Sequence, residues 1–138
     1  KGEELPVNIE GQTIYYVGPC PAPQGCPIGS CGPTTSGRMD AYAPRLISLG
    51  LKTMIGKGKR SKEVIDALRT YKGVYFLAAG GAGALLAGCV RSAKVLVYPE
   101  LLSEAVHELE IEDMPVIVGI DACGRDIFTE GQRQWRRV

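Results

Sequence analysis

The chain has 138 residues, of which 45% are hydrophobic and 7% aromatic, and its formal net charge at pH 7 is +1. This length suits a single domain with its own core, and the near-neutral charge excludes a surface that attracts nucleic acid or an anionic membrane as a whole. No stretch is long and apolar enough to span a bilayer, and no basic-then-apolar leader opens the chain, so the sequence predicts a cytoplasmic protein.

The five cysteines indicate free thiols, because an odd number leaves one unpaired under any disulfide scheme. They are Cys20, Cys26, Cys31, Cys89 and Cys123. The first three are clustered but lack the Cys-x-x-Cys step of zinc ribbons and the cysteine runs of ferredoxins. We therefore expect no metal site built from this chain alone, and interpret these cysteines as small apolar residues in a packed loop.

The first predicted element is a strand over residues 13–17, which is β-branched and aromatic and ends at a Gly-Pro pair. Residues 1–11 lack periodicity and are interpreted as a lead-in. A proline-rich loop follows over residues 19–27 and leads into a stretch that is rich in glycine and hydroxyl side chains, residues 29–40.

Helical spacing of apolar residues then runs from residue 35 to residue 49. Pro44 interrupts it, so either the helix kinks there or a second helix begins with this proline in its first turn. A short strand is predicted over 52–55. Ser61 is expected to cap a helix that continues through Tyr71.

A strand, a glycine turn and a short helix are predicted next. Gly73 is expected to end the preceding helix, and residues 74–79 form a continuous apolar run typical of a strand covered on both faces. Gly80 and Gly81 then open a helix over 82–89. The N-terminus of such a helix can bind an anion, but the glycines can equally serve close packing on the sheet, and the dinucleotide fingerprint is absent.

The last third of the chain is predicted to be mostly strand. Predicted elements are a strand over 94–98, a helical turn over 99–105, a half-exposed strand over 106–111 and a strand over 115–120. A turn over 121–126 is expected to lead into a hairpin strand at Ile127 and Phe128, and residues 129–138 are expected to form a frayed basic tail. The whole pattern predicts an α/β fold with a mixed sheet.

Residues 29–40 concentrate the features of a binding site. Glycines allow close approach of the backbone to a ligand, Thr34, Thr35 and Ser36 can each cap a following helix, and Arg38 adds a fixed cation. Such a combination suits a carboxylate or a phosphate. An ordinary loop with a solvated arginine remains the alternative.

Three loops are candidates for one anionic crevice, since loops at the carboxyl ends of strands in an α/β sheet lie together. They are the stretch carrying Arg38, the loop carrying Lys57 and the Gly80-Gly81 turn. An obvious general base is missing, because His107, the single histidine, falls in the half-exposed strand. If the protein is an enzyme, we expect another chain to supply an essential part.

Five segments carry a resemblance to a known family. In order, they are Val17-Gly18-Pro19, Gly32-Pro33-Thr34-Thr35-Ser36-Gly37-Arg38-Met39-Asp40, Gly56-Lys57-Gly58-Lys59-Arg60-Ser61, Gly80-Gly81-Ala82 and Glu112-Asp113-Met114-Pro115. The chain resembles the β subunit, or C-terminal domain, of class I iron–sulfur-dependent fumarate hydratase. The β subunit of L-tartrate dehydratase shares much of this pattern.

The resemblance implies a swivelling β/β/α domain over residues 1–128, with a mixed sheet flanked by helices. This domain would close over an α subunit that holds a [4Fe–4S] cluster, with homodimerisation inside a heterotetramer. The implied reaction is the reversible hydration of the dicarboxylate fumarate to (S)-malate. The implied site contains Thr34 as the catalytic residue, and Thr35, Arg38, Lys57, Gly32 and Gly81 as substrate-binding residues.

One departure from the family pattern concerns an Arg-Asp-x-x-His segment that is usual upstream of the first strand. Nothing before Thr13 matches it, so either that segment lies outside this sequence or part of the substrate site is missing. Alone, the chain is expected to be inactive. Two further alternatives stay open at this point, namely a tartrate dehydratase β subunit and a catalytically silent domain that binds an anion or a partner.

Overall fold

A computed structural model describes residues 4–137. Its six strands are β1 (Thr13–Tyr15), β2 (Thr53–Gly56), β3 (Val74–Leu77), β4 (Val90–Val97), β5 (Val106–Ile111) and β6 (Ile117–Ile120). Its four α-helices are α1 (Ala43–Ser48), α2 (Lys62–Tyr71), α3 (Gly83–Ala87) and α4 (Ile127–Trp135). Two 3₁₀ helices, Ser36–Met39 and Pro99–Glu104, complete the described elements.

The central sheet has four strands in the order β1-β2-β3-β6. β2 pairs in parallel with β1 and β3, whereas β6 pairs antiparallel to β3. β4 and β5 form a separate antiparallel pair. The predicted α/β fold with a mixed sheet flanked by helices is therefore confirmed.

Apolar cores lie on both faces of the central sheet, because successive side chains of a strand point to opposite faces. Met54 and Tyr75 belong to the core that also contains α1 and α2. Their neighbours Ile55 and Phe76 belong to the core formed with α3 and the β4-β5 pair. The sheet is thus a middle layer between two apolar cores.

Several predictions from sequence are confirmed at the level of local structure. Helix α1 begins at Ala43 with Pro44 in its first turn, so the two-helix alternative holds and the kinked helix does not. Ser61 caps α2, and its Oγ accepts a hydrogen bond from the Val64 N–H at 3.4 Å. None of the helices within residues 4–137 has the length and apolar character needed to cross a membrane.

The end of α2 differs from the prediction in detail. Lys72, and not Gly73, adopts the left-handed conformation that closes the helix, with φ 57°. Gly73 is needed for another reason, because a Cβ there would lie 2.8 Å from Leu68 Cδ2 and 3.0 Å from the Lys52 carbonyl oxygen. The glycine therefore allows α2 to pack closely against the start of β3.

The predicted C-terminal hairpin is wrong. Residues 127–135 form α4, and Asp126 caps it by accepting hydrogen bonds from the Phe128 N–H at 3.0 Å and the Thr129 hydroxyl at 2.8 Å. Residues 129–135, which the sequence assigned to a frayed tail, lie in this helix, while residue 138 lies outside the described residues. The apolar Ile-Phe pair begins a helix because the preceding aspartate satisfies one of the first free N–H groups. The domain boundary at residue 128 stays a prediction.

Candidate functional site

Two loops lie side by side at the carboxyl end of the central sheet. We call residues 29–40 the motif loop and residues 56–61 the lysine loop. Thr35 and Lys57 form a parallel β-bridge. The Ser36 N–H donates to the Lys57 carbonyl oxygen at 3.0 Å, and the Lys57 N–H donates to the Thr34 carbonyl oxygen at 3.3 Å. These bonds bring Thr34, Thr35 and Lys57 together, although more than twenty residues separate the two loops along the chain.

The Gly80-Gly81 turn lies against the lysine loop. A Cβ on Gly80 would lie 3.5 Å from Lys57 Cδ and 3.7 Å from Lys57 Nζ, so the turn lies close to the stem and the ammonium of this lysine. Gly81 has a positive φ of 80°. On the other side, a Cβ on Gly32 would lie 3.3 Å from the Gly83 Cα. The glycine turn therefore borders the lysine loop, and helix α3, which follows the turn, borders the motif loop.

Four polar side chains of this region face solvent. Thr34, Thr35, Arg38 and Lys57 are all exposed. Arg38 lies in the 3₁₀ helix, and its guanidinium forms no ion pair within residues 4–137. The region therefore offers hydroxyl groups and uncommitted cations at one surface, which suits an anionic ligand.

The two helices that begin in this region are short and have no capping side chain at their N-termini. The 3₁₀ helix that contains Arg38 has four residues, and its N-cap Thr35 makes no capping hydrogen bond through its side chain. Helix α3 has only five residues and no capping side chain. Helices this short have little macrodipole, so charge and hydroxyl groups must provide the attraction for an anion.

The buried support of the site was not predicted from sequence. Arg60 has a fully buried side chain, and its Nε donates to Asp40 Oδ1 at 2.6 Å. Asp40 Oδ2 accepts the Ser61 N–H at 2.5 Å. The Arg60 guanidinium lies over the rings of Tyr16 and Tyr75, with its Cζ 5.4 Å and 4.9 Å from their centroids. The signal in the sequence is a pair of opposite charges in two family segments, Asp40 at the end of one and Arg60 next to the end of the other.

Ser36 belongs to this support and is unavailable to a ligand. It is completely buried, and its Oγ lies 3.0 Å from the Tyr75 hydroxyl, which also hydrogen-bonds to the Gly58 carbonyl oxygen at 3.1 Å. Gly56 makes room for it, since a Cβ there would lie 1.8 Å from Ser36 Oγ. Burial raises the pKa of Tyr75 above its ordinary value, against weaker opposing effects of Ser36 and Arg60.

The cysteines do not fit an iron–sulfur cluster. Cys20 and Cys26 are exposed, whereas Cys31 is buried in the core beside α3 and its thiol pKa is raised by burial. Across residues 4–137, no three His, Cys, Asp or Glu side chains gather as a metal ion requires. The sequence-based expectation that this chain supplies no metal site remains a prediction about the isolated chain.

A family model described as the fumarase C-terminus matches residues 1–131, which include all three loops of the site. The chain belongs to this family. It is 43% identical over 133 residues to the aerobic class I fumarate hydratase of Escherichia coli K12, covering 95% of this chain and 24% of that protein. It is 40% identical over 131 residues to fumarate hydratase 2 of Leishmania major, covering 94% and 23% respectively.

A shorter relative comes from Methanocaldococcus jannaschii and is assigned as the β subunit of an L(+)-tartrate dehydratase. The identity is 35% over 134 residues, which is 93% of this chain and 69% of that protein. The chain thus spans about a quarter of the length of the fumarate hydratases it matches, and about two thirds of this relative. The resemblance stated from the sequence motifs is therefore confirmed at the level of the family.

Proposed function

We propose that this chain is the β subunit, or C-terminal part, of an iron–sulfur hydro-lyase that reversibly hydrates fumarate to (S)-malate. The observation that supports it best is the convergence of three family segments in one exposed region, where Lys57 lies close to Gly80 and is bridged to Thr35. A dicarboxylate needs two sites of positive charge. Arg38 and Lys57 are cations that no acidic side chain of the described residues neutralises.

In this proposal Arg38 and Thr35 bind one substrate carboxylate, and Lys57 binds the second carboxylate or the hydroxyl. Arginine suits the first role because its planar guanidinium can form two parallel hydrogen bonds to a carboxylate. Gly32 and Gly81 line the site and leave room for the substrate. During proton removal, the cations would stabilise the negative charge that builds on the adjacent carboxylate.

We place Thr34 at the proton-transfer step. Its hydroxyl donates to the Tyr16 carbonyl oxygen at 3.3 Å, so the lone pairs of its oxygen point away from that bond and can accept a proton. A threonine hydroxyl is nevertheless a weak base, and it needs an activating carboxylate or a second group that takes the proton onward. Asp40 is unsuitable, because both its oxygens accept hydrogen bonds from the lysine loop. We therefore assign the activating or relay group to the partner.

The cluster, in this proposal, belongs to a cluster-bearing α subunit or domain, since the thiols of this chain do not fit it. The assembly would be a cytoplasmic heterotetramer in which this domain swivels to close over its partner.

L-Tartrate dehydratase is the second candidate activity, because the Methanocaldococcus jannaschii relative assigned to it is matched over most of its length. A silent anion-binding domain is the third.

Co-expression with a candidate α subunit that carries three separated cysteines, under anaerobic conditions, tests the proposal. We expect the purified complex to hydrate fumarate, and Lys57→Met to abolish most of that turnover. Val64→Ala, in the core of α2, is the matched control and should retain it. Turnover of tartrate alone would select the second candidate. A complex with a full cluster that turns over neither diacid would select the silent domain.

A further inference from the structure

The buried pair formed by Arg60 and Asp40 is costly for a domain of this size. A charged side chain loses its hydration when it is buried, and an ion pair seldom recovers the whole loss. Arg60 recovers it only in part, because its Nη2 is buried without a hydrogen-bond partner among residues 4–137. Its Nη1 has only the Met54 sulfur, at 3.4 Å. Apolar side chains would fill the same space at lower cost, so stability alone does not explain the pair.

The contacts of the Arg60–Asp40 pair join two loops in a way that apolar packing cannot. Asp40 ends the motif loop, and both its oxygens bind the lysine loop, one through Arg60 Nε and the other through the Ser61 N–H. Directional hydrogen bonds of this kind fix the distance and the rotation between two backbones. Apolar contacts would permit the loops to slide.

A second connection lies beside the first. The Tyr75 hydroxyl hydrogen-bonds to Ser36 in the motif loop and to Gly58 in the lysine loop. The Tyr75 ring also lies against the Arg60 guanidinium. Arg60 is therefore the centre of a buried network that joins the two loops directly below the exposed Thr35-Lys57 bridge.

We propose that Arg60 is a positioning residue, which holds Lys57 in register with Thr35 and Arg38 through Asp40 and Tyr75. The expected change in turnover rests on the proposed function, whereas the expected change in the loops does not. The side chain itself has no access to substrate, because it is fully buried. Small displacements of binding groups lower the rate of an enzyme steeply, so loss of this register should reduce turnover without removing any substrate contact.

The test compares Asp40→Asn with the double variant Asp40→Asn/Arg60→Met. Asparagine keeps an acceptor for the Ser61 N–H, and methionine fills the space between the tyrosine rings without a charge. Asp40→Asn alone leaves Arg60 buried and unpaired, so its Tm should fall. The double variant should recover most of that Tm, because the uncompensated charge is gone. It should still lack the directional bond that Arg60 Nε makes to residue 40 of the motif loop.

Amide hydrogen exchange of this chain gives the first readout, since the Ser36 and Lys57 N–H groups bridge the loops. In the double variant we expect these two amides to exchange about tenfold faster or more, by local opening, while amides of β3 keep their rates. Val64→Ala should not accelerate them selectively. Parent rates at Ser36 and Lys57 in the double variant would overturn the inference.

Turnover of the assembled complex gives the second readout. We expect kcat/KM of the double variant to stay about tenfold or more below the parent although its Tm has recovered. Full recovery of both kcat/KM and Tm in the double variant would make the pair merely structural and overturn the inference. If the parent complex turns over no diacid, the proposed function fails, and the exchange rates alone then decide whether Arg60 holds the loops.

Discussion

Arg38 and Arg60 show how the environment gives one residue type two different roles. Arg38 is exposed in the motif loop and has no acidic partner among the described residues, so its guanidinium is available to a ligand. Arg60 is buried, is paired with Asp40 and lies over two tyrosine rings. Arg38 is therefore open to a ligand, whereas Arg60 is enclosed and bonded to Asp40 of the motif loop.

Replacement of Arg38 by lysine tests the proposed carboxylate contact. Lysine keeps the charge but cannot form the two parallel hydrogen bonds, so we expect a loss of about 1–3 kcal/mol of transition-state stabilisation in the assembled enzyme. Measurements of kcat/KM and Tm of the variant check this expected loss. Arg45→Lys, at an exposed position of α1, is the control. Unchanged turnover would remove Arg38 from the site, and a large fall in Tm would make it structural.

Gly81→Val tests the glycine turn. The sequence suggested a clash or a forbidden φ, and the structure separates these causes, since nothing lies within 4 Å of a Cβ at Gly81 while its φ is 80°. We expect backbone strain to cost about 1–2 kcal/mol of stability, with lower activity in the complex. Gly81→Asn is the control, because asparagine tolerates a positive φ. Parent activity and stability in the valine variant would place the turn outside the site.

At the scale of elements, the same kinds of local signal succeeded in one place and failed in another. Ser61 before an apolar helical pattern predicted the start of α2 correctly. Asp126 carried an equivalent signal for α4, but the apolar pair after it also fits a strand. Short apolar runs cannot distinguish the two, since the choice depends on which neighbours cover them.

Two glycine-to-alanine variants should change stability in opposite directions. Gly131 lies inside α4 with nothing within 4 Å of its Cβ position, so alanine there should stabilise the chain by about 0.5–1 kcal/mol. Gly56 ends β2 against the buried Ser36, so alanine there should destabilise it by about 1–3 kcal/mol through overpacking. The free energies of unfolding of both variants, measured in urea, show the sign of each change. A neutral Gly56→Ala would show that Ser36 moves freely.

At the scale of the whole molecule, tyrosines connect the core to the support of the site. Tyr16 and Tyr75 belong to the core that contains α1 and α2, and both rings contact Arg60. Burial raises the pKa of each above the ordinary 10.0, because their charged forms would lose hydration, while Arg60 acts in the opposite direction. The neutral phenols are therefore part of the folded state.

This shift predicts a loss of stability at alkaline pH. Both tyrosines ionise more readily in the unfolded chain than in the folded one, so their contribution is fully present below pH 10 and is lost as the pH rises through the folded pKa values. Unfolding free energies measured from pH 8 to pH 11 should fall at the upper end. Tyr75→Phe should make that fall shallower, whereas Tyr42→Phe, at a 63% exposed position, should not. Equal slopes in the two variants would contradict the prediction.

Local chemistry in the sequence determined the fold class, the start of α2 and the membership of the fumarase C-terminal family, since caps, apolar periods and family segments are encoded by neighbouring residues. It also predicted that the loops carrying Arg38, Lys57 and Gly81 lie together. Only the tertiary structure decided that Ser36 is buried, and that Arg60 joins the two loops through Asp40 and Tyr75. Those contacts join residues that are fifteen or more positions apart along the chain, and they depend on strand order and side-chain packing, which no local pattern contains.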